Sequence, residues 1–310
     1  MALGWLAVVA LVAVLAPWLP LPFPPGTPDL AHLNQAPFVQ GRHWLGTDPQ
    51  GQDVLSVLVF GARTAVLLTF PSAFLAAFIG AVAGGAAGFW GNTIRVAAPY
   101  WLLVAGLAWW ILALPWPLLG VGIAGVAAAG VVVAARHRDA FPMWPLPLNS
   151  AVMGAATVLD TVPRLVLVVA LAAGTGVSAG GLLAVLAFTS WPAAARMVRA
   201  QMLRVRTLPF VEAAQATGMP AGRVWLRHAM PHAVTPLRTA LPLSLASLLA
   251  LESTLSFLGI GLPPNVASWG RLLASGRDAP QAWWLFLFPG ILLIISILLL
   301  HTLGRRPAAR

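Results

Sequence analysis

The 310-residue sequence has no cysteine, which excludes a disulfide framework, a thiolate metal site and a cysteine nucleophile. Lysine is missing too: all 18 basic residues are arginine. Without lysine the chain can form neither a G-x-x-x-x-G-K-[ST] phosphate loop nor a Schiff base. Any ATP that serves this protein must be bound by another chain. Charge is scarce, at 8% of residues, where soluble domains carry about 25%. The eight acidic residues are scattered along the chain.

What remains is apolar. Hydrophobic residues make up 59% of the chain and mean hydropathy is +0.86. Such a chain cannot coat itself with polar surface, so lipid must be its solvent. The net charge of +10 does not point to nucleic acid. Its arginines sit at the ends of apolar runs, as membrane topology and anionic head groups require.

A transmembrane helix needs about 20 mostly apolar residues. Residues 1–21 form the first candidate and read as a retained anchor, because no basic residue precedes the run and no A-x-A site closes it. An external segment, 22–56, separates it from an Ala- and Gly-rich span over 57–91. Residues 92–147 hold two further candidates, Val96 to Leu114 and Leu118 to Ala135, joined at Pro115–Pro117. The remainder, 148–303, holds spans at Ser150–Ala173, Val177–Ala195, Thr239–Ile260 and Ala282–Leu303, with an Arg-rich polar loop at 196–238. The tail is 304–310. The reading is an all-α polytopic membrane protein of about eight helices. With the N-terminus cytoplasmic, thirteen arginines lie inside and four outside, so the positive-inside rule puts both termini and the Arg-rich loop in the cytoplasm.

That loop, RVRTLPFVEAAQATGMPAGRVWLRHAMPHAVTPL, reads as two short helices. Pro209 suits the first turn of one that stops near Gly218, a residue able to take the left-handed C-cap conformation. Pro220 opens a second, which Pro231 is expected to end. The alanines leave the first helix narrow enough for a groove on a partner. The alternative is an amphipathic loop lying on the inner lipid surface.

The order Glu212-Ala213-Ala214, then Gly218, His228 and Pro231, resembles the EAA loop of ABC importer permeases, with His232 where the family usually has Asn. Two other stretches resemble the C-type permeases of dipeptide, oligopeptide and nickel importers. One is HWLGTDPQGQDVLSVLVFGARTAVLL, matching at Leu45-Gly46-Thr47-Asp48, Gly51, Asp53 and Gly61-Ala62-Arg63. The other matches at Glu252, Leu255 to Gly259, Pro263-Pro264, Ser268-Trp269-Gly270 with Arg271 following, and Phe288-Pro289-Gly290. The resemblance implies the transmembrane domain of a type I ABC importer: a six-helix core plus, here, an inserted helical hairpin within 92–147. It implies a non-catalytic subunit that couples ATPase motion to alternating access. Its coupling residues would be Glu212, Ala213, Ala214, Gly218, Arg223, His228 and Pro231. Implied partners are a second, B-type permease, two ABC ATPase subunits, an external solute-binding protein and membrane lipid, with no nucleic acid. The chain itself would bind no cofactor; ATP and Mg would belong to the ATPases.

Charges within spans cost a few kcal/mol on insertion scales and need partners. Asp160 and Arg164, four apart, are expected to share a helix face and neutralise each other or line the solute path. Glu252 is expected to pair with Arg271 or Arg277, or to stand at an outer gate. No H-x-x-x-H pair has a neighbouring carboxylate in the metalloprotease pattern; His228 and His232 are four apart, but Pro231 would interrupt the helix face they share, so no metal is expected. Three other classes stay open, one of them a scaffold with no transport role. An ion-driven secondary transporter would need midplane ionisable groups in paired repeats, and a membrane-embedded enzyme would need clustered acids, bases or nucleophiles.

Overall fold

The computed structural model describes residues 2–39, 43–97, 143–175 and 178–305. Elements are numbered here among those residues. Helix α1, Ala2–Leu15, carries no charge and runs into a 3-10 turn at Ala16–Trp18. Its Trp5 Nε1 donates to Ser296 Oγ at 3.2 Å, pinning it to the last helix. Helix α2, Val54–Trp90, has 37 residues, about 55 Å at 1.5 Å per residue, and so outruns a hydrocarbon core of about 30 Å. Asp53 caps its start by accepting from Ser56 N at 2.9 Å, and Gly91 at φ 59° ends it.

Strands β1, Ile94–Ala97, and β2, Met143–Leu146, pair antiparallel with Ile94 opposite Leu146 and Ala97 opposite Met143. The expected span from Val96 therefore does not begin there: Val96 and Ala97 are strand. The rest of that span, and all of the one at Leu118–Ala135, lie outside the described residues. The chain leaves and returns through adjacent strands. Just beyond them Asn92 holds Ser150 through Nδ2 to Oγ at 3.0 Å and N to Oδ1 at 3.2 Å.

The single span expected over Ser150–Ala173 is two helices, α3, Leu148–Thr161, and α4, Arg164–Thr175, bent by 90°. The cause is local. Val162 precedes Pro163, and the proline ring drives it out of the helical region to φ −89°, ψ 131°. Helix α5, Ala179–Val205, runs ten residues past the expected end at Ala195, so the polar loop is shorter than 196–238. Val198, Met202 and Val205 continue the buried stripe at helical spacing, which packing rewards although the opposite face carries arginine.

The loop helices are α6, Pro209–Ala216, then α7, Ala221–Val224, a π-helical turn at Trp225–Ala229, and α8, Met230–Ala233. Helix α9 is Leu237–Phe257, α10 is Trp269–Ser275 and α11 is Trp284–Gly304. Among the described residues α2, α5, α9 and α11 are each long and apolar enough to cross a membrane, and the bent pair brings the total to five.

Helices α2 and α5 form the central pair. A Cβ added at Gly84 would lie 2.1 Å from Ala195 O; at Gly80 it would lie 2.6 Å from Ala194 Cβ, and at Gly88 2.8 Å from Met202 Cβ. These three glycines, four apart, remove the side-chain layer from one face and let two backbones meet, the small-residue packing that lipid favours.

Candidate coupling segment and outer cap

Two regions gather the motif residues. At one end of the bundle, α6 starts with Pro209 at N1, and its helix stops at Gly218, φ 78°. Gly218 N–H reaches Gln215 O at 3.0 Å, and no heavy atom lies within 4 Å of a Cβ built there. Val211 and Ala214 are buried, while Glu212, Ala213, Gln215 and Gly218 are exposed. Ala214 therefore belongs to the core and cannot meet a partner as a surface alanine. The outward face also presents Leu208, Phe210 and Leu226, and Arg223 is exposed beside them.

The second loop helix does not end at Pro231. Met230 N–H bonds Trp225 O, an i to i−5 bond, and the widened π turn makes room for a proline that lacks its own N–H. Pro231 thus sits inside a helical run that ends at Ala233, with His228 half-buried and His232 exposed against Phe210, ring centroids 5.0 Å apart.

The segment is fastened to the central pair. Val211, Ala214, Val224, Ala229 and Ala233 share one core cluster with Val198, Met202 and Val205 of α5 and Ala81 of α2. Trp225 lies 5.2 Å from Trp90 between ring centroids, and Met230 Sδ fills the space over Gly85. Arg206 donates to Gly88 O at 3.2 Å, neutralising the negative end of α2.

At the opposite end of the bundle, the remaining motifs meet in a cap. Gly46 takes φ 82°, and a Cβ there would lie 2.4 Å from Gln35 O. Thr47 and Asp53 form an isolated bridge. Asp48 is buried and accepts from Gln50 N at 2.9 Å and Gln52 N at 2.8 Å. Burial pushes its carboxyl above the usual 3.8, opposed by those two backbone donors. Trp269 is buried and donates from Nε1 to Leu58 O at 2.9 Å, against Gly61; Gly270 lets α10 approach Ser253 O. Trp284 Nε1 donates to Thr47 O at 3.1 Å. Asp48, Gln50, Gln52, Arg271 and Asp278 face a cavity of about 350 Å³. Two motifs more than 200 residues apart therefore build one surface. Arg63 lies half-buried on α2 with no ion pair among the described residues.

The charged residues expected to form a gate are arranged otherwise. Asp160 and Arg164 fall on opposite sides of the break. Asp160 pairs with Arg196 of α5 on an exposed face, and Arg164 donates to Ser190 Oγ. Neither is the i,i+4 pair that an unbroken helix requires. Glu252 is 1% exposed and accepts from Ser256 Oγ at 2.8 Å and Ser253 Oγ at 3.3 Å. Arg271 instead donates to the carbonyls of Leu262, Pro264 and Val266, and Arg277 stacks over Phe257 at 3.9 Å. Glu252 thus forms no salt bridge with either arginine and lines neither principal cavity.

The second cavity, about 250 Å³, lies between α2, α5 and α9. Ala76, Ala77, Ser190, Ala193, Ala194 and Ser247 line it, a small-residue wall that composition alone did not single out. Its only sequence signal is a run of small residues on three separate helices.

Residues 127–308 match the family model described as the binding-protein-dependent transport system inner membrane component. A peptide transport system permease protein of Brucella suis biovar 1 is 30% identical over 300 residues, covering 96% of this chain and 82% of that protein. The oligopeptide transport system permease protein OppC of Haemophilus influenzae is 24% identical over 300 residues, covering 96% and 79%. Among solved structures, an inward-facing form of the MetNI methionine ABC transporter matches with a TM-score of 0.53. Identity there is 18%, over 80% of this chain and 93% of that one. Helix α6, buried on one face and exposed on the other, and the paired small-residue helices are thus set in the fold of an ABC importer transmembrane subunit, and the chain belongs to the binding-protein-dependent transport inner membrane component family.

Proposed function

We propose that this chain is one permease subunit of an ATP-driven importer of peptides, and that α6 with Gly218 is the knuckle through which it receives force. The observation that carries the proposal is the fastening of α6. Its inner residues, Val211 and Ala214, share a core with the base of α5, while its outer face is left exposed. A push on the exposed face therefore reaches α5 and, through the glycine-lined contact, α2. Close packing makes this a lever, since buried interfaces transmit displacement without compressing. The peptide cargo rests on the names of the relatives.

In this reading two ATPase subunits bind nucleotide and Mg, and a second, B-type permease and an external binding protein complete the assembly. The termini lie in the cytoplasm, by the arginine distribution. The chain performs no covalent chemistry. It supplies the lever and, at the cavity lined by Ala76, Ser190 and Ser247, half of a solute path. Nucleotide-driven closure of the ATPases biases the bundle between inward-open and outward-open states.

The test is Ala213→Arg and Gly218→Arg, both at exposed positions. Each places bulk and charge in the docking face without touching the core, Gly218→Arg at an added backbone cost of about 1–2 kcal/mol for a side chain at φ 78°. Expected is loss of ATPase co-purification, or loss of solute-stimulated ATP hydrolysis, with folded yield retained. Normal co-purification and stimulation in both variants refute the assignment.

A further inference from the structure

The cap holds a group of side chains that lies outside the coupling segment. Asp29, His32 and His43 present ligand-type atoms that all lie within 4.8 Å of one another. Asp29 Oδ2 is 2.9 Å from His32 Nδ1 and 3.4 Å from His43 Nε2. A tetrahedral ion with ligands at about 2.0–2.1 Å needs ligand atoms roughly 3.3 Å apart. The His43–Asp29 edge already has that length, and the His32–Asp29 edge, at 2.9 Å, needs to open by about 0.4 Å.

A second observation concerns the buried ring of His43, which is fully enclosed. Its Nδ1 lies 3.0 Å from Asp53 Oδ1. Asp53 also accepts from Ser56 N as the cap of α2, so its carboxylate is an acceptor and the ring's hydrogen sits on Nδ1. In the neutral ring that leaves the Nε2 lone pair pointing at Asp29 Oδ2, an acceptor facing an acceptor. A cation between them resolves the conflict. A carboxylate that orients a histidine through its other nitrogen is the usual support of a metal ligand.

The surroundings hold these groups ready. Phe23 stacks on His43 at 4.1 Å between ring centroids. Asp29 N–H bonds Gly51 O at 2.8 Å, and Gly51 at φ 79° lets the Asp29 backbone pass where a Cβ would lie 2.5 Å from its carbonyl. Asp29 Oδ1 accepts from Ala31 N at 3.1 Å. His32 is fixed by its own N–H to Asp29 O at 3.1 Å and by Thr47 Oγ1 on its carbonyl. Asp29 and His32 keep 21% and 27% side-chain exposure, so the fourth coordination position of an ion held there would face solvent.

We propose that Asp29, His32 and His43 form a binding site for a divalent transition-metal ion of the zinc type, with Asp53 as the positioning carboxylate behind His43. Two nitrogens, one oxygen and an open position suit Zn²⁺ better than oxygen-seeking Mg²⁺ or Ca²⁺. The ion would staple residues 23–32 of the external segment to the start of α2. The sequence concealed the set, because its spacing of three and eleven residues matches no metal motif.

The full chain, purified in detergent and stripped with chelator, is titrated calorimetrically with Zn²⁺, and separately with Co²⁺ under visible spectroscopy. Expected are one zinc per chain, Co²⁺ d–d bands of tetrahedral intensity, and a zinc-dependent rise in the unfolding midpoint. His32→Asn and Asp29→Asn each lower zinc affinity by tenfold or more, whereas His228→Asn leaves it unchanged. Because His32 and Asp29 are partly exposed, those variants keep the fold, and the wild-type titration stands without them. Absence of stoichiometric zinc binding by the wild-type chain overturns the proposal. Zinc binding that survives both substitutions overturns it equally.

Discussion

Substituting Gly84 by alanine tests the central packing claim with a single methyl group. The added Cβ would lie 2.1 Å from Ala195 O and 2.7 Å from its C and Cα atoms. Ordinary contact begins at 3.4 Å, so the two backbones must part by roughly 1.3 Å. Neither partner can yield alone, since both atoms belong to helical main chain. A gap of 0.5–1 Å already forfeits about a quarter to a half of each dispersion contact, and it runs along the whole α2–α5 interface. The expected cost is at the upper end of overpacking, about 3 kcal/mol. Gly85→Ala presses instead on the Met230 thioether, 2.5 Å away, which can change rotamer, so about 1 kcal/mol is expected. Gly154 has nothing within 4 Å, and Gly154→Ala should stabilise by about 0.5–1 kcal/mol through helix propensity. Unfolding in mixed micelles, followed by fluorescence of the 14 tryptophans, ranks the three. If Gly84→Ala falls within about 0.5 kcal/mol of Gly154→Ala, the close approach of α2 and α5 is wrong.

Other outcomes follow from the cap at the opposite end of the bundle. Trp269→Phe removes the Nε1 bond to Leu58 O, and thermal unfolding should show a loss of about 1–2 kcal/mol. Asp53→Ala removes the cap of α2 and leaves the buried His43 Nδ1 without an acceptor, costing about 2–3 kcal/mol by chemical denaturation, while Asp53→Asn retains an acceptor and costs less. Asp48 has a pH signature. Burial raises its folded pKa above 3.8, so the folded state holds the proton more tightly than the unfolded chain. Its contribution to stability therefore falls as pH rises from 3.8 through the raised value, then levels off. Asp48→Asn should abolish that fall, so the variant's unfolding midpoint gains on wild type with rising pH and then keeps a constant lead. A pH-independent difference between the two would contradict the burial argument.

Some of this protein was legible in its sequence because it depends on local chemistry or on bulk composition. Lipid as solvent follows from 59% hydrophobic residues. The stop of α6 follows from a glycine that alone tolerates φ 78° without strain. Proline was a less decisive signal. Pro163 sits at a 90° break, whereas Pro71, Pro192, Pro242 and Pro289 lie inside continuous helices. Neighbouring helices and local backbone adjustment can satisfy the groups that a proline frees, so a residue's type does not tell whether the helix survives it.

What the tertiary structure alone decided is every partnership across sequence distance. Asp160 chose Arg196, 36 residues away, over Arg164, four away, because the break at Val162 turned α4 aside. Ala214 became core and Ala213 surface, although adjacent and identical, because the base of α5 lies against only one face of the helix. Asp29 reaches His43 because Gly51, at φ 79°, leaves room for the Asp29 backbone to bond it, an approach no sequence spacing announces. Sequence determines which groups are available and what each costs to bury; only the packed chain determines which of them meet.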